Sequence, residues 1–228
     1  MPFLLIGDSH CKWLPINNCE EFVCTAASAK GLYNKHSISN YNRIIIEKVK
    51  NTNIHYEKII FMFGAVDMDF SYIHKLIHNP NLNLYEFIDQ IMHNYINFIK
   101  ENFSDKKVVI LSVGLPTLDD ANLKQGLLNS SINHLENVNV DDLKFRLSKI
   151  VLPDIFTRTK NTFAFNSHLK DIIEKCNNPN IKFLDITSFT YDEEKKRIKD
   201  DFFSRNDHHC YKRNATIGKI INENILLL

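Results

Sequence analysis

The sequence has few of the glycine and proline residues that are typical of repetitive, linker-rich or multi-domain proteins. Glycine and proline number only six each among 228 residues. No repeat, linker or low-complexity tract interrupts the chain. Hydrophobic residues make up 44% of the sequence and charged residues 24%, which is ordinary globular usage with enough apolar material for one core. We therefore expect a single domain over residues 1–228.

Charge excess and long apolar runs are also missing. The formal net charge is +1, and no stripe of Lys and Arg with interleaved aromatic residues occurs, so no nucleic-acid partner is expected. No apolar stretch reaches the length of a membrane span, and "MPFLLI" lacks the basic start of a signal peptide. The cysteines are odd in number and irregularly spaced, which favours a reducing compartment and a cytoplasmic location. They are Cys11, Cys19, Cys24, Cys176 and Cys210.

Short apolar runs alternate with amphipathic segments along the chain. Such runs are typical of buried parallel strands, and helices between them cover both faces of the sheet. The pattern predicts an α/β fold, a three-layer α/β/α sandwich of the flavodoxin-like kind, whose central parallel sheet has about five strands. The predicted strands lie in "FLLIG", "CEEFVCTAA", "EKIIFMFGA", "KKVVILSVG" and "NIKFLDIT".

The longest predicted helix is "LYEFIDQIMHNYINFIKENF", where apolar residues recur on one helical face. Further helices are expected in "YNRIIIEKVKN", in "FAFNSHLKDIIEKCN" and at the C-terminus. Residues 118–162 are expected to form helices and a loop beyond the carboxyl edge of the sheet. The mixed-charge run "YDEEKKRIKDD" is expected to be a solvated loop.

The stretch "IGDSH" places an acid, a hydroxyl and an imidazole directly after the first strand, which is expected to end at Gly7. Ligands of open α/β sheets bind at the carboxyl ends of the strands. Ser9 is therefore a candidate nucleophile, and its own N–H would face an oxyanion if a helical turn follows. Asp8 and Ser9 could equally serve only to cap that turn.

A serine nucleophile needs a base and a group that orients the base. The segment "SRNDHHCYK" near the C-terminus supplies Asp207, His208 and His209 in a row. The other histidines are scattered singly. We therefore expect one imidazole of this pair to reach Ser9.

Several segments in order resemble the conserved blocks of the SGNH/GDSL hydrolase superfamily. "IGDSH" resembles the first block, "ASAKGLYN" the second and "FMFGAVD" the third. "LSVGLPT" resembles the family's fourth-strand segment, and "DDFFSRNDHHCY" stands where the family has Asp-x-x-His. The resemblance extends over nearly the whole chain and implies the three-layer fold predicted above.

The resemblance also implies residue roles. Ser9 matches the nucleophile and one oxyanion donor, and Gly31 matches the glycine whose N–H is a second donor. His209 most resembles the base, with His208 as the alternative, and Asp207 would orient it. Asp8, His10 and Asp67 are expected at the binding site.

Two positions depart from the family pattern. Val66 stands where the family has an oxyanion asparagine, and loss of such a donor is worth about 3 kcal/mol in the transition state. Asn206, instead of an aspartate, stands three residues before His209, so that Asp207 is only two residues away. The sequence does not decide between a tighter loop, a base at His208 and a Ser–His dyad.

These observations predict a serine esterase or acyltransferase that acts on small acyl esters through an acyl-enzyme on Ser9. The resemblance favours O-acetyl groups of carbohydrate, and no cofactor is expected. The alternative is a catalytically weak member of the same fold that binds a glycan or a protein. A zinc site built from His10 and Cys11 with residues 208–210 is a further alternative, although the spacing matches no zinc motif.

Overall fold

The computed structural model describes residues 1–37, 39–134, 138–202 and 215–228. Five short strands form one parallel sheet in the order β2-β1-β3-β4-β5. The predicted parallel sheet is thus confirmed, with its first strand ending at Gly7. The strands are β1 Phe3–Gly7, β2 Cys19–Val23, β3 Ile59–Met62, β4 Val108–Leu111 and β5 Ile181–Leu184.

The three central strands are buried on both faces, because side chains alternate between the faces along a strand. In β1, Leu4 and Ile6 contribute to one apolar core, while Phe3 and Leu5 contribute to the other. Strands β3 and β4 divide in the same way. This double burial explains why these segments have continuous apolar sequences instead of alternating ones.

Helices cover the first face of the sheet. The 20-residue helix predicted in the middle of the chain is confirmed with the bounds Leu84–Phe103, and Asn83 caps it by accepting from the N–H groups of Tyr85 and Glu86. The helices of this layer are α1 Tyr41–Lys50, α2 Tyr72–His78, α3 Leu84–Phe103, α4 Asp120–His134, α5 Val140–Lys149 and α6 Ile155–Lys175.

The second face is covered by a shorter set of elements. Helix α8, Ala215–Leu227, contributes Ile221 and Ile225, which are fully buried. The 3-10 turn Ser9–Trp13 contributes Cys11 and Trp13 to the same core. The sheet between two covering layers confirms the three-layer α/β/α sandwich.

Residues 118–162 are largely helical, as predicted, since they contain α4, α5 and the start of α6. The charged run "YDEEKKRIKDD", predicted to be a solvated loop, instead contains a small antiparallel hairpin. The hairpin consists of β6, Tyr191–Asp192, and β7, Arg197–Ile198. It follows the single-turn helix α7, Thr187–Thr190. Ile198 is fully buried, because it packs into the second core. In the part of the chain that the structure describes, no helix is long and apolar enough to cross a membrane.

Two glycines are needed where the strands end. A Cβ on Gly7 would stand 2.6 Å from the carbonyl oxygen of Met62 and 2.8 Å from Cys11 Cβ. Gly64 follows β3 with φ at +120°, and a Cβ there would stand 2.7 Å from Val113 Cγ2. Both positions therefore hold the carboxyl ends of β1 and β3 close to neighbouring chain segments.

Candidate active site

Ser9 stands directly beyond the carboxyl end of β1, at the first position of the 3-10 turn Ser9–Trp13. Asp8 precedes the turn and caps it, because its Oδ1 accepts the N–H of His10 at 3.0 Å. Ser9 is 9% exposed and lies in the wall of a cavity of about 380 Å³. The strand end thus delivers a hydroxyl to a site large enough for a small ester.

The imidazole of His10 is held by the same carboxylate. His10 Nδ1 lies 2.9 Å from Asp8 Oδ1, and both side chains are buried. His10 also lines the cavity beside Ser9. The other oxygen, Asp8 Oδ2, is buried without a hydrogen-bond partner among the described residues.

Asp67 is buried below the loop that follows β2. Its Oδ2 accepts the N–H of Ala29 at 2.6 Å, and its Oδ1 accepts the N–H of Lys30 at 3.3 Å. Burial raises the pKa of Asp67 to about 7, the two backbone N–H groups oppose that rise, and the charge of Asp8 adds to it. Asp67 therefore anchors the loop between β2 and the 3-10 turn Lys30–Tyr33.

Asp69 adds a further carboxyl group close to this site. Burial raises the pKa of Asp69 as well, while the nearby charges of His10 and Arg158 lower it. His10 is thus influenced by carboxyl groups from two segments, Asp8 after β1 and Asp69 in the π-helical turn Asp67–Ser71.

Gly31, the oxyanion donor that the resemblance implies, lies in the 3-10 turn after β2. The N–H of Gly31 donates to the carbonyl oxygen and to Oγ of Ser28, both at 3.0 Å, so it is engaged within its own turn. Gly31 is not among the residues that line the cavity, whereas Ala26 and Ser28 are. Ala26 has a φ of +58°, a left-handed conformation that is unfavourable for a residue with a Cβ.

Val66 lines the cavity together with Ser9, which is the position that the family's third block implies. It therefore presents an apolar side chain where the resemblance expects an amide. The remaining wall comes from α2 and the turn before it and from α4. These residues are Phe70, Ser71, His74, Lys75, Leu127, Ser130 and Ser131, with Thr25 from the loop after β2.

Sequence reasoning missed the contribution of α4 and α2 to the site. The adjacent serines Ser130 and Ser131 lie in α4, within the stretch 118–162 for which the sequence predicts helices without giving their bounds. A pair of small hydroxyl residues on a helix next to Leu127 is a signal that could have indicated a ligand-facing surface. His74 and Lys75 had no distinguishing pattern in the sequence.

Asp207, His208, His209 and Cys210 lie outside the described residues, so the proposed base and its orienting acid remain predictions. Cys11 is fully buried in the second core, and burial raises the pKa of its thiol. A buried neutral thiol is a poor metal ligand. Within the described ranges, no group of three or more potential metal ligands is found.

The three-layer fold is shared with solved structures of a carbohydrate acetylesterase family member, a lipase and a GDSL-like lipase, so the fold that the resemblance implies is confirmed. The chain is similar to a carbohydrate acetylesterase family member from Sinorhizobium meliloti, with a TM-score of 0.55, 12% identity, and 100% of this chain and 98% of that chain covered.

It is also similar to a lipase from a goat rumen metagenome (TM-score 0.53, 13% identity, 98% and 96% covered). A GDSL-like lipase from Bacteroides thetaiotaomicron gives a TM-score of 0.52 at 11% identity, with 99% and 88% covered. No family model matches the sequence. No curated protein matches it either.

Proposed function

We propose that this protein is a serine esterase or acyltransferase that acts on small acyl esters. The observation that carries the proposal is the position of Ser9 at the end of β1, in the wall of a cavity of about 380 Å³. The solved structures with the same fold include an acetylesterase family member and lipases. O-acetyl groups on carbohydrate are the substrate class that we favour, because hydroxyl side chains from several elements line the cavity.

In the proposed reaction, Ser9 Oγ attacks the ester carbonyl carbon while its proton passes to an imidazole, for which we propose His209 or His208 with Asp207 behind it. The alcohol leaves with that proton, and the acyl group stays on Ser9 as an ester. Water or an acceptor hydroxyl then attacks the acyl-enzyme and gives its proton to the imidazole, which returns it to Ser9.

The oxyanion would be held by backbone donors. Ser9 begins its turn, so its N–H lies at the end where an anion is stabilised. We place the second donor in the loop at Ala26 or Ser28 instead of at Gly31. The N–H groups of Ala26 and Ser28 donate to none of the described residues, and both residues line the cavity. The unfavourable φ of Ala26 is consistent with a backbone held for such a purpose.

The test is labelling by a fluorophosphonate probe, together with hydrolysis of p-nitrophenyl acetate. We expect the wild type to be labelled and Ser9→Ala to be unlabelled, with a rate lower by several orders of magnitude. Stability should change by less than about 1 kcal/mol, because the substitution removes one hydroxyl and no core volume. Ser71→Ala removes a hydroxyl in the same cavity that has no role in the proposed reaction, so it is the matched control and should keep its labelling. Equal rates for wild type and Ser9→Ala would show that Ser9 is not the nucleophile.

A second candidate function is a binding protein for glycans or proteins with weak or no catalysis. Val66 favours it, because an apolar side chain faces the cavity where the family has an oxyanion amide. If no ester is turned over and no probe labels Ser9, this candidate becomes the better account.

A further inference from the structure

Two lysine side chains reach the same turn of α3 beside the cavity, since Lys30 Nζ contacts Gln90 and Lys75 Nζ contacts Phe87. Lys30 begins the turn after the β2 loop, and Lys75 lies on α2, where it lines the cavity with Ser9. Burial lowers the pKa of Lys30, and the charge of Lys75 is the next largest cause of that decrease. The pair therefore concentrates positive charge on one side of the site.

Neighbouring residues hold both side chains in place without neutralising them. Lys30 Nζ donates to Gln90 Oε1 at 2.7 Å, and Lys75 Nζ lies 5.1 Å from the centre of the Phe87 ring. Both partners are on the 20-residue helix α3. Throughout the described ranges, no carboxylate forms an ion pair with either ammonium group.

The nearby titratable groups do not cancel the charge. Asp67 interacts with Lys30, but more weakly than Lys75 does, and its carboxyl group is already bound to two backbone N–H groups. His74 lines the cavity next to Lys75, and burial together with His78 lowers its pKa, so it stays neutral near pH 7. The net charge of the chain is only +1, so this pair is not part of a generally basic surface.

Holding two like charges together is unfavourable unless an anion joins them. We propose that the ester substrate carries a negatively charged group, a carboxylate or a phosphate, which binds between the ammonium groups of Lys30 and Lys75. This inference rests on the proposed esterase function, because the same cavity holds Ser9. The uncharged part of the substrate would lie along the hydroxyl-lined wall, with its ester carbonyl at Ser9.

The test compares three acetate esters that differ in one group. 4-Acetoxybenzoate carries a carboxylate, 4-acetoxyphenyl phosphate carries a phosphate, and 4-acetoxybenzamide is a neutral analogue of the first. The measured quantity is the ratio of kcat/KM for each anion to that for the amide. Using this ratio removes changes that affect all three esters equally.

We expect Lys75→Met to lower this ratio on the order of tenfold, which is the typical effect of losing a hydrogen bond to a charged group. Lys30→Met should act in the same direction, and Lys75→Arg should restore part of the ratio. Methionine keeps helix propensity and contact with the Phe87 ring, so the fold should survive. Lys182→Met, an exposed lysine on β5, is the matched control and should keep the wild-type ratio. The anionic ester whose kcat/KM ratio falls more in Lys75→Met identifies whether the pair binds a carboxylate or a phosphate.

An unchanged ratio in Lys75→Met, alongside normal turnover, would overturn the anion site and leave the esterase function standing. If none of the esters is hydrolysed, calorimetric titration of 4-acetoxybenzoate into Ser9→Ala and into Ser9→Ala with Lys75→Met decides the question. Binding that is lost with Lys75 would support the anion site and contradict the esterase function. An absence of binding to both would contradict the two proposals together.

Discussion

At the scale of single residues, Asp67 shows how one carboxyl group positions the site. It is 1% exposed, and it fixes the backbone of Ala29 and Lys30 below the loop that lines the cavity. The sequence predicted Asp67 at the binding site because it remains in the third block. Its buried position makes it a group that supports the loop, and the sequence alone did not indicate this role.

The pKa of Asp67 leads to a prediction about stability and pH. Burial raises the pKa from 3.8 to about 7 in the folded protein, so folding favours the protonated carboxyl. Its contribution to stability is complete below the unfolded pKa and is lost as the pH rises toward 7. Between pH 5 and pH 8, the wild type should therefore lose about 3 kcal/mol of unfolding free energy relative to Asp67→Asn.

Urea unfolding at pH 5 and pH 8 measures this shift. Asp171→Asn, an exposed position on α6, is the control and should show the same difference from wild type at both pH values. If the difference in unfolding free energy between wild type and Asp67→Asn does not vary with pH, the backbone hydrogen bonds of Asp67 keep its carboxyl group ionised in the folded protein.

Residues that directly follow a strand can be placed from the sequence, whereas residues in the loop after β2 cannot. Ser9 and Val66 follow strands whose ends are marked by apolar runs, so their placement could be read from hydrophobicity. The loop after β2 has no such marker. There the backbone angles decide which N–H faces the cavity, and the left-handed conformation of Ala26 cannot be read from an alanine. The assignment of Gly31 relies on its place in the block after β2, and it stays a prediction.

At the scale of elements, strand positions followed from continuous apolar runs, and α3 followed from its apolar periodicity. Helix α4 and the β6–β7 hairpin were harder to predict. The polar residues of α4 face both solvent and the cavity, which weakens its amphipathic pattern. In the hairpin, a single buried side chain, Ile198, fixes a charged segment against the second core. One apolar residue within a charged run gives too little periodicity to indicate a strand.

Helix α4 yields a prediction about substrate size. Ser130 is half-buried and lines the cavity, so Ser130→Phe should fill part of the volume of about 380 Å³. We expect the ratio of kcat/KM for p-nitrophenyl hexanoate to that for p-nitrophenyl acetate to fall on the order of tenfold, because a few methylene groups lose their space. Asn129→Phe, on the exposed side of the same helix, is the control. A similar fall in both variants would show that α4 affects turnover without lining the acyl site.

At the scale of the whole molecule, the two faces of the sheet are covered unequally. Among the described elements, helices α1 to α6 pack on the first face, whereas the second face depends on α8, the 3-10 turn after β1 and the elements between α7 and β7. Lys58 Nζ, itself buried, donates to the carbonyl oxygen of Ile225, and Asn222 Nδ2 donates to that of Pro15. Helix α8 therefore forms hydrogen bonds with the segments that lead into β2 and β3, the two strands that flank β1 in the sheet.

This arrangement joins the two ends of the chain that the proposed reaction needs. Ser9 lies at the end of β1, and the predicted base lies in the segment that precedes α8. Because α8 packs on the same sheet as β1, the stability of α8 and the assembly of the site are expected to depend on each other. The sequence predicts Ser9 and its base from local motifs, and the base stays a prediction, whereas the contacts of α8 with the sheet come from the structure alone.

Ile221→Ala tests the role of α8 in the fold. Ile221 is fully buried in the second core, and truncating it removes apolar contacts and leaves a cavity, so we expect a loss of about 3 kcal/mol in the free energy of unfolding. Leu226→Ala, on the same helix at 62% exposure, should change stability by less than about 0.5 kcal/mol. Urea denaturation followed by far-UV circular dichroism measures both values. Equal stability of the two variants would show that α8 does not complete the second core, and the proposed link between the C-terminal segment and Ser9 would lose its structural basis.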